Sequence, residues 1–340
     1  MPFPLAYHIR IGIITFYQHK SKKKIDSSPP DNILSTRIHN TSLSYKVFTV
    51  KDLGQITVVG LGLLGGSISL AIKRCFTRTT TVGYGHRAVT RRKARQMAVA
   101  GRIAADLKTS VAQADIVILA TPLLSFDKIF SAIAQALPAG CIVTDVGSTK
   151  LLPHRWARRY LPKTVYYVGS HPIAGSEQRG IEFARDDLFD GALCILTMTK
   201  KTNRSAVKRL KEFWTILGCR VKLMTPREHD RIFAAVSHLP HIAAAALINA
   251  NNSRDLEFAG KGFMDTSRIA SGAPNIWSDV LLANAGNLTK KIDRMVVEIF
   301  KLRRAVSTGN REQILKLLKA ARDQRAALIK HKIKSKEIIS

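Results

Sequence analysis

Gly60-Leu61-Gly62-Leu63-Leu64-Gly65 is a G-x-G-x-x-G set between an apolar run, Ile56-Thr57-Val58-Val59, and an apolar stretch from about Leu63 to Arg74. That context demands a strand turning tightly into a helix. Gly60 permits the turn, Gly62 lets a pyrophosphate approach the backbone, and Gly65 lets helix and strand pack together. The first N–H groups of the helix, at Leu63 and Leu64, then face the phosphates. The chain is therefore expected to hold an α/β domain with a dinucleotide site at its first strand–helix turn.

The pattern downstream agrees. Thr80 to Tyr84 reads as a second strand, Arg91 to Val99 as a helix, and Asp115 to Ala120 as a buried strand. Phe126 to Ala136 reads as a helix stopped by Pro138 and Gly140, and Cys141 to Thr144 as another strand. Val165 to Val168 and Leu193 to Leu196 continue the series. Strands alternating with helices predict a parallel sheet covered on both faces.

After Met224 the strand signal stops. Glu228 to Asn251, Trp277 to Leu288 and Arg311 to Lys330 read as helices, with helical spacing in Ile314, Leu317, Leu318 and Ala321. The reading is a Rossmann-type doubly wound sheet domain over residues 52–224, followed by an all-helical substrate and dimerisation domain over 225–335. Its long apolar-faced helices predict a homodimer. Residues 1–51, with the basic cluster Lys20 to Lys24 and the Ser27-Ser28-Pro29-Pro30 break, are expected to be a disordered, dispensable basic extension.

The 340 residues carry 54 Lys and Arg against 24 Asp and Glu, a net charge of +30. The excess is spread along the chain, which suits the electrostatic focusing of anionic small molecules better than a nucleic-acid partner. No run of 18 apolar residues predicts a membrane span. Cys75, Cys141, Cys194 and Cys219 are scattered without metal-ligand spacing, as expected of reduced cysteines in a cytoplasmic protein.

The end of the second strand bears on the cofactor. An acidic residue there would bind the ribose 2′-hydroxyl of NAD. The chain instead reads Gly85-His86-Arg87, with no carboxylate to repel a 2′-phosphate and an arginine to pair with it. NADP is favoured, with NAD open.

Three segments carry candidate chemistry. Asp145-Val146-Gly147-Ser148-Thr149-Lys150 and Gly169-Ser170-His171-Pro172-Ile173-Ala174-Gly175-Ser176-Glu177 each follow a strand, where ligands sit in open α/β sheets. Glu228-His229-Asp230 leads into Ser237-His238-Leu239-Pro240-His241 on the first helix of the second half. His238 and His241 share a helix face, but no Cys or carboxylate completes a zinc set, so no metal is expected. Lys150 reads as a loop cap and Trp277 as core packing.

The ordered series G-L-G-L-L-G-G-S, A-T-P, D-V-G-S-T-K, G-S-H-P-I-A-G-S-E and V-S-H-L-P-H resembles the prephenate and arogenate dehydrogenase family, from about Gln55 to Asn287. The resemblance implies oxidative decarboxylation of prephenate, or of its amino analogue arogenate, in tyrosine biosynthesis. It implies that His171 is the catalytic histidine and that Ser148 contacts it and the substrate hydroxyl. Arg268 would grip a substrate carboxylate. Ser176, Glu177, Ser237, His238 and His241 would border the substrate, with Thr121 and Pro122 beside the nicotinamide ribose. Glu177 and Asp230 are the candidates to pair with the ammonium of arogenate; prephenate is favoured. The competing reading is another two-domain Rossmann reductase, of the β-hydroxyacid dehydrogenase or imine reductase type. Those use a lysine on the helical domain, and the S-H-L-P-H segment offers none.

Overall fold

In a computed structural model the described residues are 53–174 and 178–334. The expected extension over 1–51 lies outside them, as do Ser176 and Glu177. Strand β1 (Gln55–Val59) leads into helix α1 (Leu63–Cys75), then β2 (Thr80–Tyr84), α2 (Ala88–Gln96), β3 (Arg102–Ala104), α3 (Leu107–Val111), β4 (Ile116–Leu119), α4 (Phe126–Ile133), β5 (Ile142–Asp145), α5 (Leu151–Tyr160) and β6 (Tyr166–Tyr167). These six strands form one parallel sheet in the order β3-β2-β1-β4-β5-β6. The order reverses between β1 and β4, so the carboxyl ends of those strands open a crevice beside the glycine turn.

Side-chain alternation along the strands fills both faces of this sheet. Val58 and Ile118 pack with Ile68 and Ile72 of α1 and with Phe213 and Trp214. Their neighbours Val59 and Leu119 turn to the other face, against Phe126 and Phe130 of α4. All ten are fully buried.

The expectation of one continuing sheet is corrected here. The chain leaves the six-stranded sheet at Val168 and begins β7 (Gly169–Ile173), which joins β8 (Leu193–Thr197) and β9 (Arg220–Met224) in a second sheet. β7 and β8 are antiparallel, while β8 and β9 are parallel and joined through α6 (Arg204–Ile216). A parallel return needs a helical crossover. Between β7 and β8 the described residues hold only a short 3₁₀ turn, Ile181–Phe183, so the chain turns back on itself.

The second half is helical, as expected. Thr225 caps α7 (Pro226–Phe233), its side chain accepting from Glu228 N at 3.2 Å, with Pro226 in the first turn. A π-helical stretch, Ala234–His238, then leads into α8 (Leu239–Asn249). Pro240 has no N–H to give the preceding turn, and a widened turn is one way a helix absorbs that loss. Short helices α9 (Ser253–Leu256) and α10 (Lys261–Ser267) follow, then α11 (Pro274–Ala283), α12 (Ala285–Ser307) and α13 (Arg311–Lys334). The segment Pro226–Asn249 is long and apolar enough to cross a membrane by length and composition. It carries the buried His229 and Asp230, which are hydrogen-bonded to His171 and Lys150 of the sheet half.

Candidate active site

The glycine turn has the form a dinucleotide requires. Gly60 has φ +103°, and a Cβ there would lie 2.6 Å from the Ala120 backbone. A Cβ on Gly65 would lie 1.8 Å from the Gly60 carbonyl oxygen. Gly62 faces open space at the start of α1, and Leu63 and Leu64 are half-buried behind it. No acidic residue occupies the first turn of α1, so its N–H groups present uncompensated positive potential. These residues fit a pyrophosphate. Beside them, Thr121 Oγ1 pairs with Ser125 Oγ at 2.8 Å, and Pro122 precedes the 3₁₀ turn Leu123–Ser125.

At the β2 end, His86 and Arg87 are exposed. Arg91 Nη1 donates to the carbonyls of Gly85 and His86, both at 2.8 Å, and so fixes the turn that presents them. The sequence from Thr80 to Gly101 contains no carboxylate.

The catalytic candidates meet across both halves. His171 stands on β7, and its Nδ1 is 2.9 Å from His229 Nε2 on α7. His229 Nδ1 is 2.8 Å from Asp230 Oδ1. Asp230 in turn accepts the backbone N–H groups of Lys150 at 2.7 Å and Leu151 at 2.9 Å. Helix α5 has no side-chain cap of its own at Lys150, so Asp230 serves as its cap from another part of the chain.

This arrangement determines the tautomers. A carboxylate that accepts two amides takes a third proton donor from His229, so Nδ1 of His229 carries its proton. His229 Nε2 is then an acceptor, and His171 Nδ1 must donate to it. The proton-free nitrogen of His171 is Nε2. Burial, followed by the neighbouring His229, Lys150 and His238, holds His171 well below the usual histidine range. His229 is pushed down to about 2, chiefly by burial and by Lys150. Burial pushes Asp230 up, against the pull of the two amides and Lys150. Phe233 walls the pair, its ring centroid 4.8 Å from His171 and 4.4 Å from His229.

His229 is the functional candidate that reading the sequence missed. The expected His171–Ser148 bond does not occur among the described residues: His171 pairs through Nδ1 with His229, and Ser148 stands half-buried on the loop after β5. Asp230 is also corrected as an ammonium partner, because it is fully buried and its oxygens are committed to His229 and α5. Lys150 is no loop cap. Its side chain is fully buried, ion-paired with Asp145, and donates to the Ser170 carbonyl at 2.6 Å.

The π-helical turn and α8 supply the remaining wall. Ser237 is half-buried and His238 fully buried. Asn284 Nδ2 holds the Asp230 carbonyl at 2.7 Å and lies 3.2 Å from His238 Nδ1. Burial pushes His238 down to about 4, against Asp230 and the Ser148 backbone. His241 stacks on Trp277 with centroids 3.5 Å apart. Thr149 Oγ1, His238 Nε2 and His241 Nδ1 are buried with no hydrogen-bond partner among the described residues. Unpartnered buried polar atoms are costly unless a ligand completes them. Arg268 is exposed on a 3₁₀ turn after α10 that packs against α8, the helix of His241. No cluster of metal-ligating side chains occurs among the described residues.

Known proteins share this plan. A family model described as prephenate dehydrogenase, nucleotide-binding domain, matches residues 68–223, and one described as prephenate dehydrogenase, dimerization domain, matches 225–320. A prephenate dehydrogenase of Bacillus subtilis is 35% identical over 280 residues, covering 80% of this chain and 76% of the relative. A cyclohexadienyl dehydrogenase of Zymomonas mobilis is 30% identical over 280 residues, covering 80% and 95%. The crystal structure of a prephenate dehydrogenase from A. aeolicus with hydroxyphenyl propionate and NAD+ superposes with a TM-score of 0.75 at 30% identity, covering 81% of this chain and 98% of that one. A Synechocystis arogenate dehydrogenase superposes at 0.69 with 29% identity, covering 81% and 99%. With the glycine turn, the parallel sheet and the helical half all in place, the chain belongs to the prephenate dehydrogenase family.

Proposed function

We propose that this chain oxidises and decarboxylates prephenate to 4-hydroxyphenylpyruvate, a step of tyrosine biosynthesis in the cytoplasm. The observation that carries the reading is the buried chain His171–His229–Asp230, which leaves a lone pair on His171 Nε2. That nitrogen accepts the proton of the ring hydroxyl. Bound in the crevice beside Gly60 and Gly62, a nicotinamide supplies the hydride acceptor for the carbinol carbon. The ring carboxylate leaves as CO2, and the electron pair of its bond makes the ring aromatic. The new carbonyl oxygen takes back the proton from His171 and becomes the phenol, so the histidine ends as it began.

Asp230 and His229 hold the imidazole of His171 in one tautomer and one orientation. His238 and His241 offer their unpartnered nitrogens to substrate oxygens, and Ser148 and Ser237 border the same wall. Arg268 is assigned to a substrate carboxylate, for which a guanidinium fork is suited. Prephenate is preferred to arogenate because Asp230, one of the two carboxylates considered for the ammonium, is already committed. Initial rates with prephenate and with arogenate test this choice; exclusive use of arogenate overturns it.

The cofactor is taken to be NADP, on the exposed His86 and Arg87 and the absence of a carboxylate at the β2 end. Arg87→Ala is expected to weaken NADP by roughly 1–3 kcal/mol, the scale of one charge-assisted hydrogen bond, and to leave NAD nearly unchanged. Michaelis constants for both cofactors measure it, and equal losses would make Arg87 a solvated surface charge.

The assembly is taken to be a homodimer built on α12. Phe300 is 61% and Val306 66% exposed there, and Val296, Val297 and Ile299 are exposed beside them. So large an apolar face is rarely left to water. Light scattering at micromolar concentration is expected to give twice the chain mass, and Phe300→Lys to shift it toward the monomer.

A further inference from the structure

A second cleft lies between α7 and α12. Its volume is about 520 Å³, and Arg231, Asn287, Lys290, Lys291 and Arg294 line it. On α12 these residues recur at i, i+3, i+4 and i+7, which is one helix face, and Arg231 meets them from α7. The lining is four cations and one amide, without a carboxylate. Glu298, one turn further on, takes Arg294 Nε at 3.5 Å and Lys301 Nζ at 3.0 Å. Arg231, Lys290 and Lys291 have no ion pair among the described residues.

Like charges one helical turn apart, as at Lys290 and Arg294, repel one another. Converging four cations on one cleft is therefore unfavourable unless an anion enters it. Asn287 gives one N–H to Asn284 Oδ1 at 2.9 Å and keeps its other N–H for the cleft. Asn284 is the residue that holds Asp230 and His238, so the cleft stands two hydrogen bonds from the proton chain. The volume is that of a small-molecule site, whereas a nucleic acid would need an extended basic track.

We propose that this cleft binds a small polyanion of metabolite size, carrying phosphate or clustered carboxylate groups. Arg231, Lys290, Lys291 and Arg294 are its charge partners, and Asn287 is a hydrogen-bond donor.

Calorimetry on the full chain tests this, with pyrophosphate and citrate as probes. Saturating oxidised cofactor and 4-hydroxyphenylpyruvate fill the other anion sites, and KCl holds ionic strength constant. The expected result is one further saturable site per chain, weakened at least about tenfold in the double variant Lys290→Gln/Lys291→Gln. A control of equal charge change, Lys200→Gln/Lys201→Gln, is expected to bind as the wild type does. Tighter pyrophosphate identifies the phosphate class, and tighter citrate the carboxylate class. Absence of a saturable heat, or equal weakening in both double variants, overturns the proposal. The readout is binding, so failure of the dehydrogenase reading shows separately, as prephenate that yields no reduced cofactor.

Discussion

His171→Ala is expected to lower kcat with prephenate by about 10²–10⁴, the usual contribution of a positioned general base, while leaving cofactor affinity unchanged. The side chain lies on β7 and is not among the atoms packed against Gly60 or Gly65, so the dinucleotide site should not feel its loss. Wild-type turnover in the variant would remove His171 from the mechanism. A pH profile gives an independent measure. A protonated imidazole cannot take the hydroxyl proton, so activity is lost as pH falls through the free enzyme's His171 value. Burial and the nearby His229, Lys150 and His238 hold that value well below 6.5. The acid limb of kcat/KM is therefore expected well below pH 6.5, and a limb at or above it would describe a solvated histidine instead.

What could be read from the sequence was what depends on local spacing. The glycine turn announces itself because its three glycines answer to three steric demands within six residues. His171 stands out because it lies in a motif that follows a strand. The partner of His171 did not stand out. His229 is 58 residues away, on a helix that reaches it only by packing back on β7, and nothing in the spacing predicts that contact. The same holds for Asp230, which caps α5 across 80 residues and so was open to assignment as a substrate contact. Of the fold, the parallel sheet followed from alternation, but the second sheet did not, since a short apolar run reads alike in either sheet. Most of α12 was passed over as well. Its β-branched Ile292, Val296, Val297 and Ile299 weaken a helical reading, and much of its apolar face is exposed among the described residues.

The largest effect on stability is expected at Lys150. Its ammonium is fully buried, paired with Asp145 and donating to the Ser170 carbonyl, so it ties the loop after β5 to the strand that carries His171. Asp145 also accepts the Tyr167 hydroxyl at 2.7 Å and Gly147 N at 2.9 Å, but neither donor is charged. Lys150→Met keeps the apolar stem and removes the cation, leaving a carboxylate sealed from water. Breaking a buried pair from one side costs about 3–5 kcal/mol. Denaturant unfolding at neutral pH is expected to show a loss of that size. Removing the charge from both partners is a different matter, because the penalty comes from the charge left behind rather than from the pair forgone. Lys150→Met combined with Asp145→Asn should therefore recover a large part of the loss, and a double-mutant cycle reads the difference directly. Additive losses in the double variant would mean that the two groups act separately, and that β7 is held in place by something other than this ion pair.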